Sequence, residues 1–203
     1  ERGRRVLRYE KGPVFKNLLL VDEINRATPK TQAALLEVMQ ERCVTTGGER
    51  HPLPEPFLVL ATQNPMEMEG TYPLPEAQLD RFMFNIVIEH PPEDEELQVV
   101  RTTTAILEPT FNRPVSGPDL IAFQRLVRRV PVSDAVLRYA LGIVRTSRPK
   151  AENAPESIRK FAAFGASVRA AQFLILGAKA RALTNGRYHV SFEDVRALAH
   201  PVL

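Results

Sequence analysis

The sequence predicts an α/β core built on a parallel sheet with β-hairpin insertions, followed by an all-helical domain. Two short apolar runs, at residues 18–21 and 57–61, end in polar side chains and are separated by a helical pattern, as in a parallel α/β sheet. After the His-Pro-Pro run at residues 90–92 the pattern becomes almost wholly helical. We therefore predict one domain over residues 1–90 and a second over residues 91–203.

The composition is that of an ordinary globular protein. The chain has 203 residues, of which 44% are hydrophobic and 25% charged, and a formal net charge of +3. No apolar run approaches the roughly 18 residues of a membrane span. The single cysteine, Cys43, excludes an internal disulfide and fits a reducing compartment, so we expect a cytoplasmic protein. The mild positive charge permits a nucleic-acid partner without requiring one.

The first elements lead to a pair of acids. Residues 4–11 alternate imperfectly before a Gly-Pro pair, which predicts the returning strand of a hairpin; its basic side chains could contact nucleic acid, although a solvated strand face is commoner. Residues 18–21 predict a strand buried on both faces, and it ends in Asp22 and Glu23. Open α/β sheets bind ligands at this edge. There Asp22 can hold a water-coordinated Mg²⁺ and Glu23 can polarise a water, unless the strand simply runs into an acidic helix cap.

A helix, a hairpin and a second strand follow. Apolar residues at helical spacing predict a helix that begins after Thr28, its N-cap, and ends near Arg42. Residues 43–51 predict a hairpin that turns at its two glycines. Residues 57–61 predict the second buried strand, and residues 84–88 a third.

Two polar residues beyond these strands are candidates for a phosphate site. Asn64 follows the second strand, where an amide can orient an attacking water or contact a γ-phosphate; an Asn-Pro turn is the alternative. Arg81 lies between two apolar residues on a predicted short helix, which can anchor it while its guanidinium neutralises phosphate charge on a neighbouring subunit. A surface ion pair with Asp80 or Glu76 is the alternative.

The second domain is predicted to consist of helices. One begins near Glu93, and others occupy residues 119–129, 134–147 and 168–183, with a last one after Ser191. Arg169 falls in the first turn of one of them, where the helix dipole repels a cation. A bound phosphate would offset that placement, and an interdomain contact is the alternative.

Five stretches of the sequence are specific when taken together. They read GPVFKNLLLVDEINRA (12–27), QER (40–42), PLPEPFLVLATQNP (52–65), EGTYPLPEAQLDRF (69–82) and GASVRA (165–170). Together they resemble the MoxR family of AAA+ ATPases, over essentially the whole chain. The resemblance implies a partial AAA+ core with hairpin inserts, followed by a helical lid. One departure is Val168, which stands where the family usually has proline.

The resemblance also implies cofactors, partners and residue roles. ATP and Mg²⁺ would be the cofactors, and the protein would form a ring, expected to be a hexamer, that remodels or activates a partner, for which a von Willebrand factor A-domain protein is a candidate. Asp22 would be the Mg²⁺-linked Walker B aspartate, and Glu23 would polarise the hydrolytic water. The other implied roles are sensor 1 for Asn64, an arginine finger acting on the next protomer for Arg81, and sensor 2 for Arg169.

A P-loop pattern, GxxxxGK[ST], does not occur in these residues; its family position lies before Glu1. We therefore expect a fragment that comprises the second half of the core and most of the lid, with little ATP binding or hydrolysis by itself. Two other functions stay open. One is an inert assembly or binding module, which the intact candidate residues argue against. The other is a nucleic-acid motor, which ranks last because the hairpin carries little positive charge besides Arg50.

Overall fold

A computed structural model describes residues 9–64, 69–106 and 111–203. The chain divides into two compact units, Glu1–Arg81 and Phe82–Leu203. The division of the sequence into domains at residues 90 and 91 stays a prediction. Among the helices of the described residues, none has the length and apolarity needed to cross a membrane.

The first unit is the α/β part of the chain. Its described strands and α-helices are β1 (Leu18–Val21), α1 (Pro29–Glu41), β2 (Cys43–Thr46), β3 (Glu49–Pro52), β4 (Leu58–Ala61) and α2 (Glu76–Leu79), and residues Pro13–Phe15 and Ile24–Arg26 form short 3-10 helices. Strands β1 and β4 pair in parallel, with Leu18 beside Leu58 and Val21 beside Ala61. Strands β2 and β3 form an antiparallel hairpin that turns at Gly47 and Gly48, both of which have positive φ. The predicted parallel pairing and the predicted hairpin are confirmed.

Helix α1 begins and ends where its sequence predicts. Thr28 is the N-cap, and its hydroxyl accepts a hydrogen bond from the backbone N–H of Thr31 at 3.4 Å. At the other end Arg42 adopts the left-handed conformation that commonly closes a helix. The first strand of the hairpin, β2, begins directly after this residue.

Within the described part of the first unit, only one face of the β1–β4 sheet is covered. Leu19 and Val59 pack on the buried cluster formed by Val38, Leu53 and Phe57. The opposite face carries two cross-strand leucine pairs, Leu18 with Leu58 and Leu20 with Leu60, whose exposed fractions run from 50% to 63%. The prediction that the first strand is buried on both faces is therefore wrong for the described residues, because one layer covers the two-stranded sheet.

The second unit is helical in its described part. Its helices are α3 (Glu93–Thr103), α4 (Gly117–Arg129), α5 (Asp134–Thr146), α6 (Glu156–Phe161), α7 (Val168–Thr184), α8 (Phe192–Ala197) and α9 (Ala199–Val202). Helix α7 is central, since its residues Leu174, Ala178 and Ala170 lie in one buried cluster with Val144 and Val195 of α5 and α8. The predicted helices are confirmed, and α6 and α9 are additions.

One predicted strand is not found in the described residues, and another predicted strand is not tested by them. Residues 84–88 form no strand: the backbone N–H of Asn85 donates to the carbonyl of Pro201 at 2.7 Å, and Ile88 is 90% exposed. No other strand lies in the described part of this unit to pair with them, which is why the apolar run stays irregular. Most of the strand predicted at residues 4–11 lies outside the described residues.

Candidate functional site

The candidate site is the carboxyl end of strands β1 and β4. Val21 ends β1 beside Ala61, so Asp22 and Glu23 leave one strand next to Thr62, which leaves the other. Both Asp22 and Thr62 are exposed to solvent. The parallel register therefore brings the predicted acids to one sheet edge, where open α/β folds hold ligands.

Thr62 makes four hydrogen bonds with the turn that carries the acids. Its backbone N–H donates to the carbonyl of Val21 and its carbonyl accepts from the N–H of Ile24, each at 3.0 Å. Its hydroxyl donates to Oδ1 of Asp22 at 2.5 Å and accepts from the backbone N–H of Glu23 at 2.8 Å. One residue thus holds both the backbone of this turn and the carboxylate of Asp22.

Glu23 has an unusual backbone and an ion-paired side chain. Its φ and ψ are 49° and 53°, the left-handed region that few residues other than glycine adopt, at a cost of about 1–3 kcal/mol. Its Oε2 lies 2.7 Å from Nε of Arg26. Both side chains are more than a third exposed, so the pair contributes at most about 1 kcal/mol. A competing hydrogen-bond donor could therefore displace Arg26 at little cost.

Asn64 lies beside this turn through Asn25. Nδ2 of Asn25 donates to the backbone carbonyl of Asn64 at 3.2 Å, and Asn64 itself is half-buried. Oδ1 of Asn25 is buried and accepts no hydrogen bond from the described residues. Three of the predicted residues, Asp22, Glu23 and Asn64, are thus gathered at one edge of the sheet.

A buried glutamine joins the turn to the loop that precedes Arg81. Nε2 of Gln32, on α1, donates to the carbonyls of Ile24 at 3.1 Å and Tyr72 at 2.8 Å. The N–H of Tyr72 in turn donates to the carbonyl of Asn25 at 2.6 Å. These contacts attach the loop to the same turn that carries Asp22 and Glu23.

Arg81 follows the short helix α2 and does not lie within it. The helix ends at Leu79, and the backbone N–H of Arg81 donates to the carbonyl of Gln78 at 3.2 Å. Nε of Arg81 is buried without a hydrogen-bond partner among the described residues. The arginine is thus half-buried at the end of the first unit.

Arg169 belongs to the second unit, in the first turn of α7. The residues before it are fixed to the end of α5: the N–H of Ala166 donates to Oγ of Ser147 at 3.0 Å, and Nε of Arg148 donates to the carbonyl of Ala166 at 3.1 Å. Ser167 caps the helix, accepting from the N–H of Arg169 at 3.0 Å. The predicted position of Arg169 in the first turn is confirmed, and its side chain is half-buried.

Comparisons with known proteins show the family to which this chain belongs. Residues 1–84 match the family model "ATPase family associated with various cellular activities (AAA)", and residues 156–203 match the "AAA lid domain" model. The chain is 43% identical over 201 residues to Chaperone MoxR1 of Mycobacterium tuberculosis, which is 99% of this chain and 53% of that protein. The chain belongs to the MoxR family of AAA+ ATPases.

Two solved structures are similar in fold to this chain. A crystal structure of a predicted ATPase from Cytophaga hutchinsonii aligns with this MoxR-family chain at a TM-score of 0.89 and 43% identity, over 96% of the chain and 59% of that structure. An MCM homologue from Methanopyrus kandleri aligns at a TM-score of 0.58 and 21% identity, over 91% of the chain and 36% of that structure, which shows a shared fold alone. The MoxR-family chain spans about half the length of MoxR1.

Sequence reasoning missed three residues that organise the site: Thr62, Asn25 and Gln32. A signal for Thr62 was present, because the first residue after β4 must lie beside the first residue after β1 once the strands pair in parallel. The other two had no such signal. Asn25 and Gln32 are buried polar residues whose partners lie 39 and 40 positions away along the chain.

Proposed function

We propose that this MoxR-family chain carries the hydrolytic half of a Mg²⁺-dependent ATPase site. The single observation that supports this most strongly is the turn at Asp22 and Glu23, which Thr62 holds at the carboxyl end of a parallel strand with Asn64 alongside. Such an edge, with two acids and an amide, suits phosphate chemistry that depends on positioning and electrostatics.

Asp22 is the residue that would bind the metal ion through water. Its carboxylate is exposed, and Oδ1 is the oxygen that accepts from Thr62, which leaves Oδ2 for a metal-bound water. Hard oxygen donors of this kind suit Mg²⁺, which keeps several waters and takes one or two carboxylates together with phosphate oxygens. Magnesium would supply charge neutralisation at the phosphates.

Glu23 and Asn64 would act on the attacking water. Glu23, once released from Arg26, would accept a hydrogen bond from that water and draw its proton, while Asn64 would orient it or contact the γ-phosphate. The ion pair to Arg26 is weak enough for such an exchange. The roles of Glu23 and Asn64 both depend on the position of their side chains at the ends of β1 and β4.

The complete protein would work as a ring. In that assembly Arg81, which is half-buried at the end of the first unit and stands at the family's arginine-finger position, would reach the nucleotide of the next protomer. Arg169 would contact the nucleotide of a site from the lid. We further propose that the ring is hexameric and cytoplasmic. Because the related MoxR1 is named a chaperone, we propose that the ring remodels or activates a client protein, with a von Willebrand factor A-domain protein as a candidate.

The test uses the full-length gene product and the substitution Glu23→Gln. We expect retained ATP binding and loss of turnover, because the amide keeps the shape of the side chain but cannot accept the proton of the water. The matched control is Glu37→Gln, at an exposed glutamate of α1. ATP hydrolysis that is unchanged in Glu23→Gln would contradict the role of Glu23. A wild-type protein that binds no ATP would favour a non-catalytic assembly module.

A further inference from the structure

We infer that Thr62 is a positioning residue for the metal-linked carboxylate of Asp22 and for the backbone of Glu23, an inference that rests on the proposed ATPase function. Thr62 lies outside the set of acids and amides that the sequence singles out. The directions of its hydrogen bonds support this positioning role.

The hydroxyl of Thr62 has one proton, and the geometry fixes where it goes. The backbone N–H of Glu23 can only donate, so Oγ1 accepts there at 2.8 Å. The proton of Oγ1 is then directed at Oδ1 of Asp22, 2.5 Å away. A hydroxyl that donates to a carboxylate forms one of the stronger kinds of hydrogen bond, and it holds that carboxylate in one orientation.

The second contact fixes Glu23. A left-handed backbone at a glutamate persists only where the surroundings determine it. One such determinant is the hydrogen bond from the N–H of Glu23 to the hydroxyl of Thr62. A second is the hydrogen bond from the N–H of Ile24 to the carbonyl of Thr62. Thr62 therefore aims the water-polarising side chain as well as the metal-linked one.

The test compares Thr62→Val with Thr62→Ser in the full-length protein. Valine has the shape of threonine and keeps both backbone hydrogen bonds of residue 62, but it removes the hydroxyl. Serine keeps the hydroxyl. The matched control is Thr45→Val, at an exposed position of the hairpin strand β2. Mn²⁺ would be titrated by electron paramagnetic resonance in the presence of a non-hydrolysable ATP analogue, and binding of the analogue would be measured separately in EDTA.

We expect Thr62→Val to weaken Mn²⁺ binding by about 10-fold, the low end of the usual effect of losing an outer-shell partner because Asp22 reaches the metal through water, with analogue binding in EDTA unchanged. Thr62→Ser and Thr45→Val should bind Mn²⁺ as the wild type does. Amide exchange should also be faster at Glu23 in Thr62→Val, since its N–H loses its acceptor.

Each contrary result has a distinct meaning. Equal Mn²⁺ affinity in the wild type and Thr62→Val overturns the positioning role and leaves the ATPase proposal standing. A wild-type protein that binds no Mn²⁺ together with the analogue overturns the ATPase proposal and the positioning role with it. Loss of Mn²⁺ affinity in Thr62→Ser equal to that in Thr62→Val would also refute the role of the hydroxyl.

Discussion

The guanidinium of Arg187 binds the buried carboxylate of Asp194 with two hydrogen bonds, from Nη1 to Oδ2 at 2.6 Å and from Nη2 to Oδ1 at 2.5 Å. The side chain of Asp194 is 1% exposed, and that of Arg187 is 35% exposed. Oδ2 also accepts from the backbone N–H and the hydroxyl of Ser191, at 2.9 Å each. Arg187 and then Ser191 lower the pKa of Asp194 well below its usual value, against the opposing effect of burial.

Replacement of Asp194 by asparagine should destabilise the second unit at neutral pH. The expected loss is about 2–4 kcal/mol in the free energy of unfolding, below the range for a fully buried pair because Arg187 is partly exposed. Because the folded pKa is lowered, the contribution of Asp194 is complete above its unfolded pKa of about 3.9 and is lost as pH falls toward the folded pKa. Urea unfolding at several pH values would measure it.

The matched control for this prediction is Asp119→Asn. Asp119 closes the same type of capping box, with Ser116, but on the exposed helix α4 and with Ser116 as the group that lowers its pKa. We expect a much smaller loss there, because the carboxylate of Asp119 is exposed and its interactions are screened by solvent. Equal losses for the two substitutions, or a wild-type advantage over Asp194→Asn that does not shrink below about pH 4, would contradict a stabilising Arg187–Asp194 pair.

Gly165→Ala should displace the chain that leads to Arg169. A Cβ atom at residue 165 would lie 2.5 Å from Cγ and 2.8 Å from Cβ of Arg148, too close for either to stay in place. Overpacking of this kind costs about 1–3 kcal/mol, so the melting temperature should fall. If Arg169 contacts nucleotide, ATP affinity of the full-length protein should fall as well.

Gly142→Ala is the control for this prediction. Gly142 lies within α5, and a Cβ atom there would meet no described atom within 4 Å apart from the neighbouring backbone of its own helix. Alanine should therefore stabilise the helix by up to about 1 kcal/mol. A Gly165→Ala protein with unchanged melting temperature and ATP affinity would show that the close approach to Arg148 does not constrain this loop.

In a ring of identical subunits, Arg81→Ala should lower the rate of ATP hydrolysis by about 10³- to 10⁵-fold if Arg81 acts as an arginine finger. Mixing Arg81→Ala subunits with Glu23→Gln subunits should restore part of the activity. In such rings, the intact Arg81 of one subunit can serve the intact Glu23 of its neighbour. The measurement is the steady-state rate of phosphate release across mixing ratios.

Arg101→Ala, at an exposed arginine of α3, is the control for Arg81→Ala and should keep full activity. Complete absence of recovery at every mixing ratio would argue against action across a subunit interface. Recovery of activity that does not depend on the ratio of the two variants would also argue against action across a subunit interface.

Local elements were largely predictable from the sequence, because their determinants lie within a few residues. Thr28 caps α1, the two glycines turn the β2–β3 hairpin, and the helix predicted after Ser191 begins there, with Ser191 and Asp194 forming its capping box. The parallel relation of β1 and β4 was also predictable, since two apolar runs flanked a helix. These patterns placed Asp22, Glu23 and Asn64 at one sheet edge.

Burial and pairing were less predictable, because they depend on what else the fold supplies. The leucines of β1 look like those of a strand covered on two sides, yet Leu18 and Leu20 are exposed in the described fold. Residues 84–88 have the composition of a strand, but a strand requires a partner, and the described part of the second unit offers none.

The sequence by itself determined the family, the local elements and the chemical character of the candidate residues, since these follow from residue type and short-range spacing. The tertiary structure alone decided which groups hold those residues in place. Thr62 contacts Asp22, and Gln32 contacts Tyr72, each pair 40 positions apart in the sequence, through hydrogen bonds that exist only once the strands and the loop have come together. Such contacts depend on distance and direction in space, which no local pattern encodes.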